Sequence, residues 1–122
     1  THRLSSAASD VYKRQDRSSY QLPVEDKVKA IKSSINNAAQ GANYLMVKPG
    51  MTSIDLIRDI KKETLLPTGA YQVSGEYASL QMLSKAKFGN YVDLLLESLT
   101  VLKRAQADFI ITYGARDIAK YL

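Results

Sequence analysis

Residues 44–50 read YLMVKPG: four apolar residues, then a lysine and a Pro-Gly pair. A short apolar run without polar alternation is typical of a strand buried on both faces, as the strands of parallel sheets are. Two further short strand patterns follow, at residues 69–74 and 109–113. The sequence therefore predicts three buried strands, and YLMVKPG contains the first of them.

Helical patterns fill the segments between these strands. Apolar residues recur every three or four positions, which is typical of one helix face. They are Val28, Ile31, Ile35 and Ala38, then Leu56, Ile57 and Ile60, then Val92, Leu95, Leu96, Leu99 and Leu102. Short helices are expected at residues 78–86 and 115–122, and residues 52–55 have the form of a capping box. Because helices and strands alternate without a hairpin signal, we expect a parallel sheet with right-handed crossovers.

A weak internal repeat supports this arrangement. Residues 39–46 align with residues 104–111 when Gly41 is set against Gln106, and each copy holds a helix end, a tight turn and a strand. The alignment puts Lys48 opposite Tyr113, at the carboxyl ends of strands, where α/β folds place their chemistry. A (β/α)8 barrel takes roughly 250 residues. The predicted fold class is therefore α/β, with about three strands of such a barrel and their flanking helices.

Composition narrows the function classes. The chain has 122 residues, 45% of them hydrophobic, which is enough for the core of one domain. It has no run of about 20 apolar residues, no secretory signal and no cysteine, so we expect a soluble protein without disulfides. The net charge of +5 leaves an alternative open, a small basic α/β module that binds RNA or an anionic partner. The scattered basic residues favour solubility over nucleic-acid binding.

Five polar residues are candidates for a site. Lys48 ends an apolar strand, where poor solvation of its charge favours the free amine that attacks a carbonyl to form a Schiff base; a plain surface lysine is the alternative. Ser74 and Tyr113 are hydroxyl donors for a substrate carboxylate at the same rim, or simply strand-end residues. Arg17 and Gln21 precede the first helix. They are candidates for binding a carboxylate, and a polar loop without a function is the alternative.

Several segments together resemble the porphobilinogen synthase (5-aminolevulinate dehydratase) family. They read DRSSYQ at residues 16–21, LMVKPG at 45–50, YQVSGEY at 71–77, LESLT at 96–100 and IITY at 110–113, in the family's order and at its spacing. The resemblance covers residues 16–122, as the C-terminal portion of a barrel domain. Residues 1–15 remain unmatched, and we expect a flexible leader or an assembly or sequencing artefact there.

The resemblance implies an enzyme that condenses two molecules of 5-aminolevulinate into porphobilinogen, for heme and chlorophyll synthesis. It implies Lys48 as the Schiff-base lysine and Ser74 and Tyr113 as the hydroxyls that hold that substrate's carboxylate. Arg17 and Gln21 correspond to lid residues that grip the second substrate. A fragment of this kind is expected to be inactive alone.

The resemblance also implies assembly and cofactors. The family forms homo-octamers, mostly in the cytoplasm or plastid, and uses no organic cofactor. The resemblance leaves open whether the full-length enzyme uses zinc, magnesium or no catalytic metal, and the ligands of such a metal are expected outside this chain. No nucleic-acid or membrane partner is implied.

Three positions depart from the family's pattern. Asn43 stands in place of the usual Asp, and Gln106 in place of the usual Gly. Gly114 replaces the usual aromatic residue after Tyr113, which predicts a looser rim around the site.

Overall fold

Helices and strands alternate along residues 22–122, the part of the chain that the computed structural model describes. The elements are α1 (Lys27–Ala39), β1 (Leu45–Val47), α2 (Ile54–Thr64), β2 (Thr68–Gln72), α3 (Ser74–Lys85), α4 (Tyr91–Arg104), β3 (Ile110–Thr112) and α5 (Ala115–Ile118), followed by a 3₁₀ turn (Ala119–Tyr121). Each lies in a segment where the sequence predicted it, although α3 begins earlier, directly after β2. Among these residues no helix is long and apolar enough to cross a membrane.

The three strands form one parallel sheet in the order β1-β2-β3. Val47 pairs with Ala70, and Gln72 pairs with Thr112. Parallel neighbours joined through helices are the arrangement expected for βαβ units, so the predicted sheet is confirmed.

The core lies between one face of this sheet and the helices α2 and α4. Leu45, Val47 and Ala70 are buried against Ile57, Ile60 and Leu102. Because side chains alternate along a strand, the residues between them point to the opposite face. The opposite face carries Met46, Lys48, Gly69, Tyr71, Phe109, Ile111 and Tyr113.

The predicted apolar face of α1 is only partly covered. Val28 and Ile35 are 63% and 42% exposed, whereas Ile31 and Ala38 of the same face are half-buried. The helix packs mainly against α2, and its buried residue is Ser34, whose hydroxyl donates to the Ala30 carbonyl at 3.0 Å. The helix was therefore predicted correctly from its apolar spacing, but part of its apolar face is exposed.

We expect the isolated 122-residue chain to be marginally stable and to associate. Apolar side chains are exposed on α1 and on the opposite face, and in residues 22–122 each outer strand is paired on one side only. Such surfaces and edges promote contact with other chains. Analytical ultracentrifugation with thermal unfolding checks this expectation. A monomer with a cooperative transition well above ambient temperature would contradict it.

The predicted capping box before α2 is wrong. Ser53 is the N-cap residue, but its side chain makes no capping hydrogen bond. The backbone amides of Met51 and Thr52 donate instead to the Glu76 carboxylate, at 2.9 and 3.3 Å. The backbone amides before α2 are therefore bonded by Glu76 of α3 and not by the hydroxyl and carboxylate of residues 52–55.

The turn that leads into β3 confirms the internal repeat. Gly41 and its counterpart Gln106 both have positive φ, at 100° and 78°. Beyond this turn Asp108 accepts a hydrogen bond from the Thr68 amide at 2.8 Å, and Lys61 Nζ lies 3.1 Å from its other oxygen. These two interactions, the amide bond first, lower the pKa of Asp108. The aspartate therefore fixes the start of β2 to the start of β3.

Replacing Gln106 with glycine should stabilise this turn by about 0.5–1 kcal/mol, because a side chain with a Cβ is strained at positive φ and glycine is not. Hydrogen exchange of the Thr68 and Asp108 amides should slow roughly two- to fivefold, the same free energy expressed as a rate. Gln106→Ala keeps the Cβ and serves as the control. Equal exchange in both variants would contradict the assignment of strain.

Candidate active site

The predicted site residues lie at the carboxyl edge of the sheet. Lys48 directly follows β1, Ser74 begins α3 two residues after β2, and Tyr113 directly follows β3. Because the strands are parallel and in register, their carboxyl ends meet at this edge. This shared edge is where the sequence placed the site.

Lys48 is half-buried and extends over a neighbouring aromatic ring. Its Nζ lies 5.3 Å from the centroid of the Tyr71 ring, and Tyr71 follows Ala70, the register partner of Val47. A lysine ammonium over an aromatic face is held there by cation–π attraction. The contact therefore places the Lys48 side chain beside Tyr71, on the face of the sheet opposite the core.

Tyr71 also connects Lys48 to Tyr113. The Tyr71 and Tyr113 hydroxyls lie 3.4 Å apart, a long hydrogen bond, and their ring centroids are 6.4 Å apart. This hydrogen bond and partial burial raise the pKa of Tyr71. Lys48, Tyr71 and Tyr113 thus form a continuous row along the carboxyl edge. Tyr71 was not among the predicted site residues, although the alternation of strand residues places it on the same face as Lys48.

A second group of tyrosines supports the Tyr113 end of this row. The Tyr77 ring centroid lies 5.8 Å from that of Tyr113. The Tyr77 hydroxyl is 2.7 Å from that of Tyr91, which donates to the Asp117 carboxylate at 2.7 Å. Burial, then these hydrogen bonds, raise the pKa of Tyr91. Tyr113 therefore packs against Tyr77. The Tyr77 hydroxyl is hydrogen-bonded to Tyr91 of α4, which in turn bonds Asp117 of α5.

Gly114 does not loosen the rim, so that expectation is wrong. A Cβ at this position would lie 2.5 Å from Leu95 Cδ2 and 3.1 Å from the Tyr77 ring. The space next to Gly114 is occupied, and Leu95 is fully buried there. The glycine permits close packing of α4 against this position.

A buried polar network lies directly beneath the rim. Gln72, which is 1% exposed, donates to the Ser98 hydroxyl at 2.8 Å and accepts from the Thr112 hydroxyl at 2.7 Å. Ser98 donates onward to the Leu95 carbonyl at 2.7 Å. The network ties β2 to both α4 and β3, just below Ser74 and Tyr113.

Not every predicted residue is brought together. Ser74 lies at the same edge, exposed at the start of α3. Arg17, Gln21 and the leader at residues 1–15 lie outside the described residues. Residues 22–122 contain no group of three or more His, Cys, Asp or Glu side chains that could hold a metal ion.

The chain was compared with protein families, curated proteins and solved structures. The profile of the family described as delta-aminolevulinic acid dehydratase matches residues 3–121, so the match reaches into the leader that the sequence analysis left unmatched. Delta-aminolevulinic acid dehydratase of Helicobacter pylori is 44% identical over 107 residues, covering 88% of this chain and 33% of that protein. The Escherichia coli protein of the same name is 45% identical over 105 residues, covering 86% and 32%.

A solved structure agrees with these matches. Delta-aminolevulinic acid dehydratase (porphobilinogen synthase) of Toxoplasma gondii, in complex with the reaction product porphobilinogen, superposes with a TM-score of 0.85 at 35% identity. The alignment covers 91% of this chain and 32% of that one. The predicted fold class, part of a (β/α)8 barrel, is confirmed. The chain spans about a third of the length of the relatives it matches.

Proposed function

This chain belongs to the delta-aminolevulinic acid dehydratase family, and we propose that it supplies the Schiff-base half of the active site of such an enzyme. The reaction is the condensation of two 5-aminolevulinate molecules to porphobilinogen. The observation that carries the proposal is the row formed by Lys48, Tyr71 and Tyr113 at the carboxyl edge of a parallel sheet. This edge is the catalytic face of barrel enzymes.

Lys48 is the nucleophile in this proposal. Its neutral amine adds to the ketone carbon of the first 5-aminolevulinate, and loss of one water gives the imine. The attacking amine is neutral, so the Lys48 ammonium gives up its proton and leaves the Tyr71 ring before it adds to the ketone. Ser74 and Tyr113 hold the carboxylate of this substrate through their hydroxyls.

The remaining assignments rest on the family. Arg17 and Gln21 bind the carboxylate of the second substrate. The planar guanidinium of Arg17 can donate to both carboxylate oxygens. The whole enzyme is a homo-octamer of the cytoplasm or plastid without an organic cofactor, and a zinc or magnesium ion in it would be held by residues beyond this chain. The porphobilinogen bound to the Toxoplasma gondii protein supports a small-molecule substrate. Family membership favours this enzyme over a small basic module that binds RNA.

A completed enzyme tests the proposed function. In it, residues 16–122 replace the matched third of the Escherichia coli relative. The completed enzyme should form porphobilinogen from 5-aminolevulinate, whereas the 122-residue chain alone should not, because it lacks most of the barrel. A folded completed enzyme that forms no porphobilinogen would contradict the proposal.

A further inference from the structure

Glu76 joins the ends of two strands through a single carboxylate. It is the third residue of α3 and is half-buried. Its Oε2 accepts hydrogen bonds from the amides of Met51 and Thr52, at 2.9 and 3.3 Å. Its Oε1 accepts from the amide of Val73 at 3.2 Å. One side chain therefore bonds the turn after β1 and the residue that follows β2.

Helix capping explains only part of this arrangement. A glutamate at the third position of a helix commonly bonds back to the N-cap amide, and the bond to Val73 is of this kind. The other oxygen bonds two amides of a different segment, 24 and 25 residues away in the sequence. Those amides precede α2, whose N-cap residue Ser53 makes no capping bond of its own. Charge-assisted bonds of this type are stronger than neutral ones.

The segment that Glu76 holds is the one that begins with Lys48. Gly50 donates its amide to the Tyr71 carbonyl at 2.8 Å, and Met51 follows with its bond to Glu76. The segment from residue 48 to residue 52 is thus hydrogen-bonded to β2 through Gly50 and to α3 through Met51 and Thr52. Lys48 is the first residue of this hydrogen-bonded segment. The direction of its side chain therefore depends on the position of residues 49–52.

We propose that Glu76 is a positioning residue that fixes residues 48–52, and through them Lys48, relative to the end of β2. The part of this inference that concerns reactivity rests on the proposed function of Lys48. Displacement of a reacting group by about 1 Å can lower a rate by roughly a hundredfold, so the bonds made by Glu76 set how fast Lys48 reacts.

The test uses two variants in the completed enzyme. Glu76→Gln keeps the shape of the side chain but turns one acceptor into a donor, and Glu76→Asp keeps the charge but shortens the reach. With saturating 5-aminolevulinate, we expect both variants to form the borohydride-trapped Lys48 adduct about tenfold more slowly or worse. Hydrogen exchange in the peptide that contains Met51 and Thr52 should become faster. Glu63→Gln, an exposed carboxylate on α2, is the control for charge.

The outcomes separate positioning from capping. If Glu76 only caps α3, aspartate retains the charge at the helix N-terminus, and Glu76→Asp should form the adduct at the parental rate with unchanged exchange at residues 51 and 52. That result would overturn the inference. If the parent itself forms no adduct at Lys48, the proposed function fails. The exchange of the Met51 and Thr52 amides then still decides whether Glu76 holds the segment.

Discussion

Replacing Lys48 with arginine in the completed enzyme is expected to abolish both porphobilinogen formation and the borohydride-stable adduct. Arginine keeps the positive charge, and with it the attraction to the Tyr71 ring. The guanidinium stays protonated at neutral pH and does not form an imine with a ketone. The activity should fall by roughly a thousandfold or more, the scale on which loss of an essential nucleophile acts.

Peptide mapping after borohydride reduction measures this effect directly. With 5-aminolevulinate present, the mass of the adduct should appear on the peptide that contains Lys48 and be absent from the arginine variant. Lys62→Arg, at an exposed position of α2, is the matched control and should behave like the parent. Ser74→Ala should keep the adduct but raise the KM, since it removes a carboxylate contact. An adduct on another residue, or full activity of Lys48→Arg, would refute the assignment of Lys48.

Replacing Gln72 with leucine is expected to destabilise the sheet by about 2–4 kcal/mol. Leucine fits a buried position but removes the acceptor of the Thr112 hydroxyl and the donor to the Ser98 hydroxyl. Ser98 keeps its own bond to the Leu95 carbonyl. Each buried polar group that loses its hydrogen bond costs roughly 1–3 kcal/mol. Hydrogen exchange of the Ala70 amide, which donates to the Phe109 carbonyl, should become roughly 30- to 1,000-fold faster, the same free energy expressed as a rate.

A compensating variant separates lost hydrogen bonds from lost packing. Combining Gln72→Leu with Ser98→Ala and Thr112→Val removes all three polar side chains, and replacing both partners of a hydrogen bond is often nearly neutral. The Gly114 amide loses its bond to the Thr112 hydroxyl in this variant, so the combined variant should recover only part of the protection of Ala70. If it exchanges faster than Gln72→Leu alone, the lost bonds of Gln72 are not the cause of the destabilisation.

Much of the architecture was predictable because it follows from local patterns of apolar residues in the sequence. The apolar runs located β1, β2 and β3, and the alternation with helices gave a parallel sheet. The alignment of Gly41 with Gln106 predicted a shared turn, and both residues have positive φ. The placement of Lys48 and Tyr113 at one edge followed from the strand direction alone. These predictions needed only the spacing of apolar residues and the internal repeat.

The features that the sequence did not reveal depend on contacts between distant segments. Gln72 interrupts an apolar strand and shows no partner until β3 and α4 are packed around it. Glu76 reads as an ordinary first-turn acid, and only the fold brings the turn after β1 to its carboxylate. The exposure of Val28 and Ile35 on α1 could not be predicted, because an apolar spacing does not show which neighbour covers the helix face.

The meeting of three consecutive strand ends at one edge has a consequence for how such a site is inherited. Lys48, Ser74 and Tyr113 come from adjacent βα units, so the proposed pocket for the first substrate lies within one contiguous stretch of the chain, residues 48–113. A single recombination event that exchanges this stretch carries the nucleophile together with the groups that orient its substrate. Residues that bind the second substrate can then diverge in their own part of the gene without separating the lysine from its partners.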